Sequence, residues 1–331
     1  MKRFFWNLFI FSVLGTALLS GCRGGQPTEH KEGNIEIARF EKVLFDTPVD
    51  QMRERLTDFR NQYPSPLLNI YPDNADFMAQ LQGFIADSIM QRIYTISQQH
   101  YDNLSWLEEE LTKALKKAAK EDADISMEHF ATFVSGFFDY SQRILADRDS
   151  KSLLVSIDQY AVGHMEQYNY FGLPMFIVTL SDSAYLASDI MGEIARQYIA
   201  SPEESQITML DRMVMEGKVL YFLDVVMPKK ADHLKIRYTP EQLEWCQRNE
   251  GMIWAYFIQH NLLYEKDFNR YHNFVDDAPK TNAFKDSSPR TTDYIGWQIV
   301  RNYMKNNKCS MKELFENTNS QSILQASQYK P

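Results

Sequence analysis

Several things are scarce in this chain, and each scarcity excludes a class. Three cysteines in 331 residues rule out a disulfide framework and any cysteine-rich zinc module. Positive charge is in deficit, with 35 Lys and Arg against 44 Asp and Glu, a formal charge of −9. Phosphate backbones attract a clustered positive field, so no nucleic-acid partner is expected. The chain contains no HExxH, no GxSxG elbow, no GxxxxGK[ST] and no GxGxxG. Its seven histidines include no i,i+4 pair, and a lone imidazole makes no zinc site. Beyond residue 22 no apolar run approaches the roughly 20 residues of a membrane span. Internal repeats at a solenoid period and Pro/Ser-rich linkers are also missing.

What is present is an ordinary globular composition, 44% hydrophobic and 24% charged, long enough to bury a core without staples. The first 22 residues, MKRFFWNLFIFSVLGTALLSGC, differ from the rest. Lys2 and Arg3 form a basic start, Phe4 to Leu19 an apolar stretch, and Leu19-Ser20-Gly21-Cys22 looks like a bacterial lipobox. Residues 1–21 are therefore read as a lipoprotein signal peptide and Cys22 as the lipidated new N-terminus. The apolar stretch is short for an uncleaved anchor. Cleavage removes Lys2, Arg3 and no acid, so the mature charge becomes −11. Residues 22–34 (CRGGQPTEHKEGN) are polar and Gly-rich and read as a flexible tether. No acidic cluster follows Cys22, which favours the periplasmic face of the outer membrane over surface export. Cys246 and Cys309 are expected to remain free thiols.

Residues 35–331 read as a single, mostly helical domain, an α+β fold with a small sheet. Helical stripes run over 49–63, over 74–99 with a break expected at Gly83, and over 104–120. Short β-branched runs around 129–138, 152–157 and Phe176-Ile177-Val178 predict strands. Ser201-Pro202-Glu203-Glu204, Thr239-Pro240-Glu241-Gln242 and Ser310-Met311-Lys312-Glu313 each carry the signature of a capped helix start. Asp276-Asp277 and Glu203-Glu204 read as solvated turn and helix-start charges.

One pair of helices carries the candidate chemistry. Residues 188–200 contain the pentad Gly192-Glu193-Ile194-Ala195-Arg196, and residues 208–227 contain Glu216-Gly217-Lys218. A Glu on a second helix twenty positions after the pentad is the layout of a gluzincin-type zinc site. Both ligand positions of the pentad lack an imidazole. Glycine has no donor atom and a guanidinium has no free lone pair, so neither metal nor cofactor is expected. An internal ion pair of Arg196 with Glu193, one turn earlier, is expected instead. Gly217 inside a helix costs ~1 kcal/mol against Ala, which predicts close packing there.

The blocks IEIARFEKVLFD (35–46), DRMVMEGKVLYFLDVVMP (211–228), YTPEQLEWCQRNEGMIWAYFIQHNLLYEKD (238–267), SPRTTDYIGWQIVRNYMKNN (288–307) and ILQASQYKP (323–331) are specific in combination. With the lipobox, they make the chain similar to the gliding-motility-associated lipoprotein family GldB. That family in turn resembles predicted HExxH zinc peptidases, which implies a zincin-like helical body. The resemblance implies a lipid-anchored envelope protein linked to gliding and to type IX secretion, with membrane contact through Cys22 and envelope protein partners. Arg290 and Arg301 are expected to pair with Glu216 or Glu193 and, with Arg196, to fill a vestigial metal site.

The leading expectation is a non-catalytic interaction component. A hydrolase using Glu193 or Glu216 as acid/base, and a periplasmic glycan- or peptide-binding lipoprotein, are the alternatives. Metabolic labelling with a palmitate analogue is expected to mark the wild-type chain and leave Cys22→Ser unmarked. A labelled variant would sink the lipobox assignment.

Overall fold

The structure is a computed structural model that describes residues 34–121, 125–136, 142–164 and 172–331. The signal segment, Cys22 and nearly all of the tether lie outside the described residues. Four strands, β1 (Ile37–Arg39), β2 (His129–Phe133), β3 (Ile144–Asp147) and β4 (Ser152–Ser156), form one sheet in the order β1-β2-β4-β3. β1, β2 and β4 run parallel, and β3 is an antiparallel edge. A tight turn joins β3 to β4, with Lys151 in the left-handed region (φ 50°) and Asp147 Oδ2 accepting from the Ser150 amide at 2.9 Å.

Fourteen α-helices occur among the described residues. In the first half they are α1 (Phe40–Phe45), α2 (Met52–Gln62), α3 (Ala75–Ala86), α4 (Ser88–Tyr101) and α5 (Ser105–Lys120). After the sheet come α6 (Met175–Thr179), α7 (Ser183–Arg196), α8 (Met209–Val226), α9 (Asp232–Lys235) and α10 (Pro240–Gln259). The last are α11 (Phe268–Val275), α12 (Thr291–Asn306), α13 (Met311–Glu316) and α14 (Ser320–Ser327). This is the predominantly helical α+β class expected. None of these helices is long and apolar enough to cross a membrane.

The sheet is covered on both faces, which is why β4 (SLLVS) is buried along its whole length instead of alternating with solvent. Phe130, Leu153 and Val155 point into the larger core with α4, α5, α7, α8 and α12. Ala131, Phe133 and Leu154, the alternate positions, point into a smaller core with α1, α2 and α3. The Thr239–Gln242 and Ser310–Glu313 capping boxes form as expected, opening α10 and α13.

Three local expectations are corrected. The 74–99 helix breaks at Asp87, not Gly83, because the Asp87 carboxylate accepts from the Ile89 and Met90 amides (2.8 and 3.1 Å) and so starts a new helix. Ile89 is consequently turned outward, 52% exposed. Phe176-Ile177-Val178 is helical, one short turn launched after Pro174. The Ser201 hydroxyl bonds the Pro202 carbonyl and caps nothing, and the working box is Thr208–Asp211 at the start of α8. Strands β1 and β3 were not anticipated. Cys246 and Cys309 are free.

Helix α8 meets α12 in backbone-to-backbone contact, and two glycines make it possible. A Cβ placed on Gly217 falls 2.3 Å from the Gly296 carbonyl oxygen, and one on Gly296 falls 1.8 Å from that of Met213. Neither backbone admits a side chain without separating the helices. Gly296→Ala is expected to lower stability by about 3 kcal/mol in urea unfolding. Gly83→Ala, in a helix with nothing within 4 Å, is expected to be neutral or to stabilise by up to ~1 kcal/mol. Equal midpoints for wild type and Gly296→Ala would remove the glycine contact from the account.

Candidate functional site

Helices α7 and α8 pack side by side, and α12 crosses α8 at the glycine contact. Between α7, α8, the edge strand β3 and the segment before α12 lies an open cavity of about 440 Å³. One face of α7 lines it with Asp189, Glu193 and Arg196, spaced i, i+4, i+7. α8 contributes Glu216 above an apolar floor of Val219, Leu220 and Leu223.

Arg196 grips Glu216 with both ends of its fork, Nε to Oε1 at 3.0 Å and Nη2 to Oε2 at 2.7 Å. Its remaining Nη1 lies 3.5 Å from Glu193 Oε2, and Gln197 Nε2 donates to the other Glu193 oxygen at 3.0 Å. The guanidinium folds over Gly192, where an added Cβ would lie 3.6 Å from Nη1. Arg196 is enclosed by the fold yet 44% of its side chain is accessible, because the cavity is open to water. Burial opposes ionisation of Glu216, but the Arg196 fork and nearby Arg290 outweigh it and hold the carboxyl below its ordinary range. Glu193 shifts the other way: burial raises it, and the more distant Arg196 only partly offsets this.

Arg290 takes a left-handed backbone (φ 42°) directly before α12. It pairs with Asp293 (3.0 Å) and Asp277 (2.9 Å) and donates to the Ile236 and Arg237 carbonyls. Its influence on Glu216 is through the field only. Burial pushes Asp293 up to about 7 despite Arg290. Arg237, also left-handed (φ 59°), stands 3.0 Å from Asp189, which the Tyr160 hydroxyl also reaches at 2.8 Å. Burial pushes Asp189 up to about 6, moderated by Arg143 and Tyr160.

Arg301 is not at this site, and its expected pairing with Glu216 or Glu193 is corrected. Two turns further along α8 it forks onto Asp224 (2.7 and 2.9 Å) and reaches Asp232 at 3.0 Å. Lys235 shares both carboxylates, the Trp297 indole donates to Asp224, and Arg301 stacks on that ring at 3.6 Å. The α12 crossing sets this: Trp297 and Arg301 follow Gly296 by one and five residues, away from Glu216. The Asp276-Asp277 turn is exposed as expected, and it also borders the cavity, where Asp277 pairs with Arg290.

The residues present do not suit a zinc ion. Gly192 offers no donor, Arg196 offers no lone pair, and both Glu216 oxygens are occupied. Among the described residues no three His, Cys, Asp or Glu side chains converge as a metal site.

The sequence model of the family described as gliding motility protein GldB matches residues 23–331. The chain belongs to the GldB family. No curated protein and no solved structure matches it. GldB membership, anticipated from the sequence blocks, makes this a lipoprotein-type protein of the cell envelope related to gliding motility. In GldB terms the 211–228 block supplies Glu216, Gly217 and Asp224, and the 288–307 block supplies Arg290, Asp293 and Gly296. Sequence reasoning missed Asp189, Arg143, Arg237 and Asp293. Asp189 was available to it, one turn before Glu193 on the same face. The others come from segments remote in sequence.

The raised Asp293 gives a signed prediction. Its proton is held more tightly in the folded chain than in the unfolded one, so its contribution is most favourable near pH 4 and is lost as pH rises through about 7. From pH 5 to pH 8 wild type is expected to lose about 1 kcal/mol or more relative to Asp293→Asn, read from urea midpoints. A difference that is flat or of opposite slope contradicts the assignment.

Proposed function

We propose that this chain is a non-catalytic component of the gliding apparatus, or of the linked type IX secretion apparatus, which works by binding other envelope proteins. The mature chain is one body carried on a short tether from lipidated Cys22, at the periplasmic face of the outer membrane. Membership of a lipoprotein-type family supports the anchor assignment.

The observation that carries the non-catalytic reading is the fork of Arg196 on Glu216. An edge strand above α7 and a facing helix that offers Glu216 are the parts of a zincin-like site. In that site a metal would sit where the guanidinium now lies over Gly192. A fixed positive fork supplies the charge that two facing carboxylates need, but it polarises no water as a Lewis acid does. Glu193, raised by burial, is the natural acid/base for a metal-free hydrolase. Among the described residues no activated nucleophile accompanies it: Ser188 lines the cavity, but its hydroxyl is shared between the Tyr185 and Leu234 carbonyls.

Elemental analysis of the purified chain is expected to find far less than one zinc per molecule, and a chelator is expected to leave its unfolding midpoint in place. A bound structural or catalytic metal would contribute folding free energy and shift that midpoint. Stoichiometric zinc, or a midpoint lowered by chelation, would overturn the reading.

A further inference from the structure

The cavity charges divide into two poles along α7. Near Asp189 stand Arg143 and Arg237. One helical turn on, about 6 Å away at 1.5 Å per residue, Glu193 begins the second pole, which it shares with Glu216, Asp276, Asp277 and Asp293 around Arg196 and Arg290.

Arg143 is unlike the other cavity arginines. It is 7% exposed and lines the cavity, no ion pair joins it to a described carboxylate, and its Nε is buried without an acceptor. Arg196, Arg237 and Arg290 all have carboxylates within 3.0 Å. A buried guanidinium offset only by the field of Asp189, with no described carboxylate in contact, is costly, and its fork geometry suits a carboxylate. Arg237 Nε and Arg290 Nε also lack a well-aligned acceptor, but each has a carboxylate beside it, Asp189 at 3.0 Å and Asp277 at 2.9 Å.

The cavity as a whole leans the other way. Lys235 is neutralised outside it, together with Arg301, by Asp224 and Asp232. Among the described residues, four arginines then face six carboxylates: Asp189, Glu193, Glu216, Asp276, Asp277 and Asp293. Their formal balance with every group ionised is −2, which the raised Asp189 and Asp293 reduce but do not reverse. A free dianion such as phosphate would gain Arg143 but meet this excess. A molecule with a carboxylate at one end and positive charge at the other satisfies both poles.

We propose that the cavity binds a basic amino acid, with its carboxylate on Arg143 beside Arg237 and its side-chain cation toward Asp276, Asp277 and Glu193. The volume of about 440 Å³ lies within the range of small-molecule sites. The left-handed backbones of Arg237 and Arg290 are strained conformations of the kind that cluster at ligand clamps. Binding at this site is independent of whether the chain is catalytic.

Calorimetric titration of the full lipidated chain in detergent tests this with four probes: L-lysine, lysinamide, norleucine and inorganic phosphate. Lysine is expected to bind saturably. Lysinamide, which lacks the carboxylate, and norleucine, which lacks the side-chain ammonium, are each expected to bind at least tenfold more weakly, and phosphate to give no saturable heat. Arg143→Met is expected to abolish the preference for lysine over lysinamide, and Arg143→Lys to retain part of it. The comparison of probes on wild type needs no variant, so it stands even if Arg143→Met does not fold. No lysine binding, equal affinities for lysine and lysinamide, or phosphate binding as tightly as lysine would each overturn the proposal.

Discussion

The contact on which the rest of this structure depends is the crossing of α8 and α12 at Gly217 and Gly296. A mid-helix glycine weakens a helix by ~1 kcal/mol, so two of them facing each other need a compensating gain. The gain is proximity. With no Cβ on either side, one backbone lies directly on the carbonyls of the other. Glu216 and Asp293 are thereby brought to one side of the crossing and Asp224, Trp297 and Arg301 to the other. Even one methyl group at either position would move both charge clusters apart together.

The two clusters use α8 in different ways. At Asp224 every acceptor is occupied: Arg301, Lys235 and Trp297 converge on one carboxylate, with Asp232 completing the charge balance. That is a closed network, and buried charge is tolerated because each member is paired. At Glu216 the pairing with Arg196 is just as short, but the site around it stays open and unbalanced. Asp189 and Asp293 are both pushed toward neutrality by burial although arginines lie beside them. A closed network fixes one arrangement of the fold, whereas an open one with carboxyls near neutrality is the kind of environment found at functional sites.

What was legible in the sequence was local. The Thr239 and Ser310 caps depend on residues three apart, and both formed. Gly217 announced a close contact because nothing else justifies a glycine there. The proximity of Arg196 to Glu193 followed from helical periodicity alone. Ser201 failed although its spacing was right, because a cap needs the chain after it to become helical, and Thr208 holds that position instead. β1 and β3, of three and four residues, carry too little pattern to be read, and pairing with longer neighbours creates them. Arg301 was misplaced because its partner depends on the angle at which α12 crosses α8, which no spacing along either helix encodes.

The pairing of Arg196 with Glu216 bears on why the acids are there at all. Two carboxylates on facing helices repel each other and destabilise the packing unless a positive charge lies between them. A divalent ion meets that need with two charges at a point, and leaves a coordination position for water. A guanidinium meets it with one charge spread over a plane, and fills that plane with hydrogen bonds. The second solution leaves the pair Glu193 and Glu216 short of one positive charge, which burial answers by raising Glu193. The residual negative bias of the cavity is therefore a consequence of using arginine where a dication would balance both acids. A site built this way is better suited to holding a cationic group than to activating water.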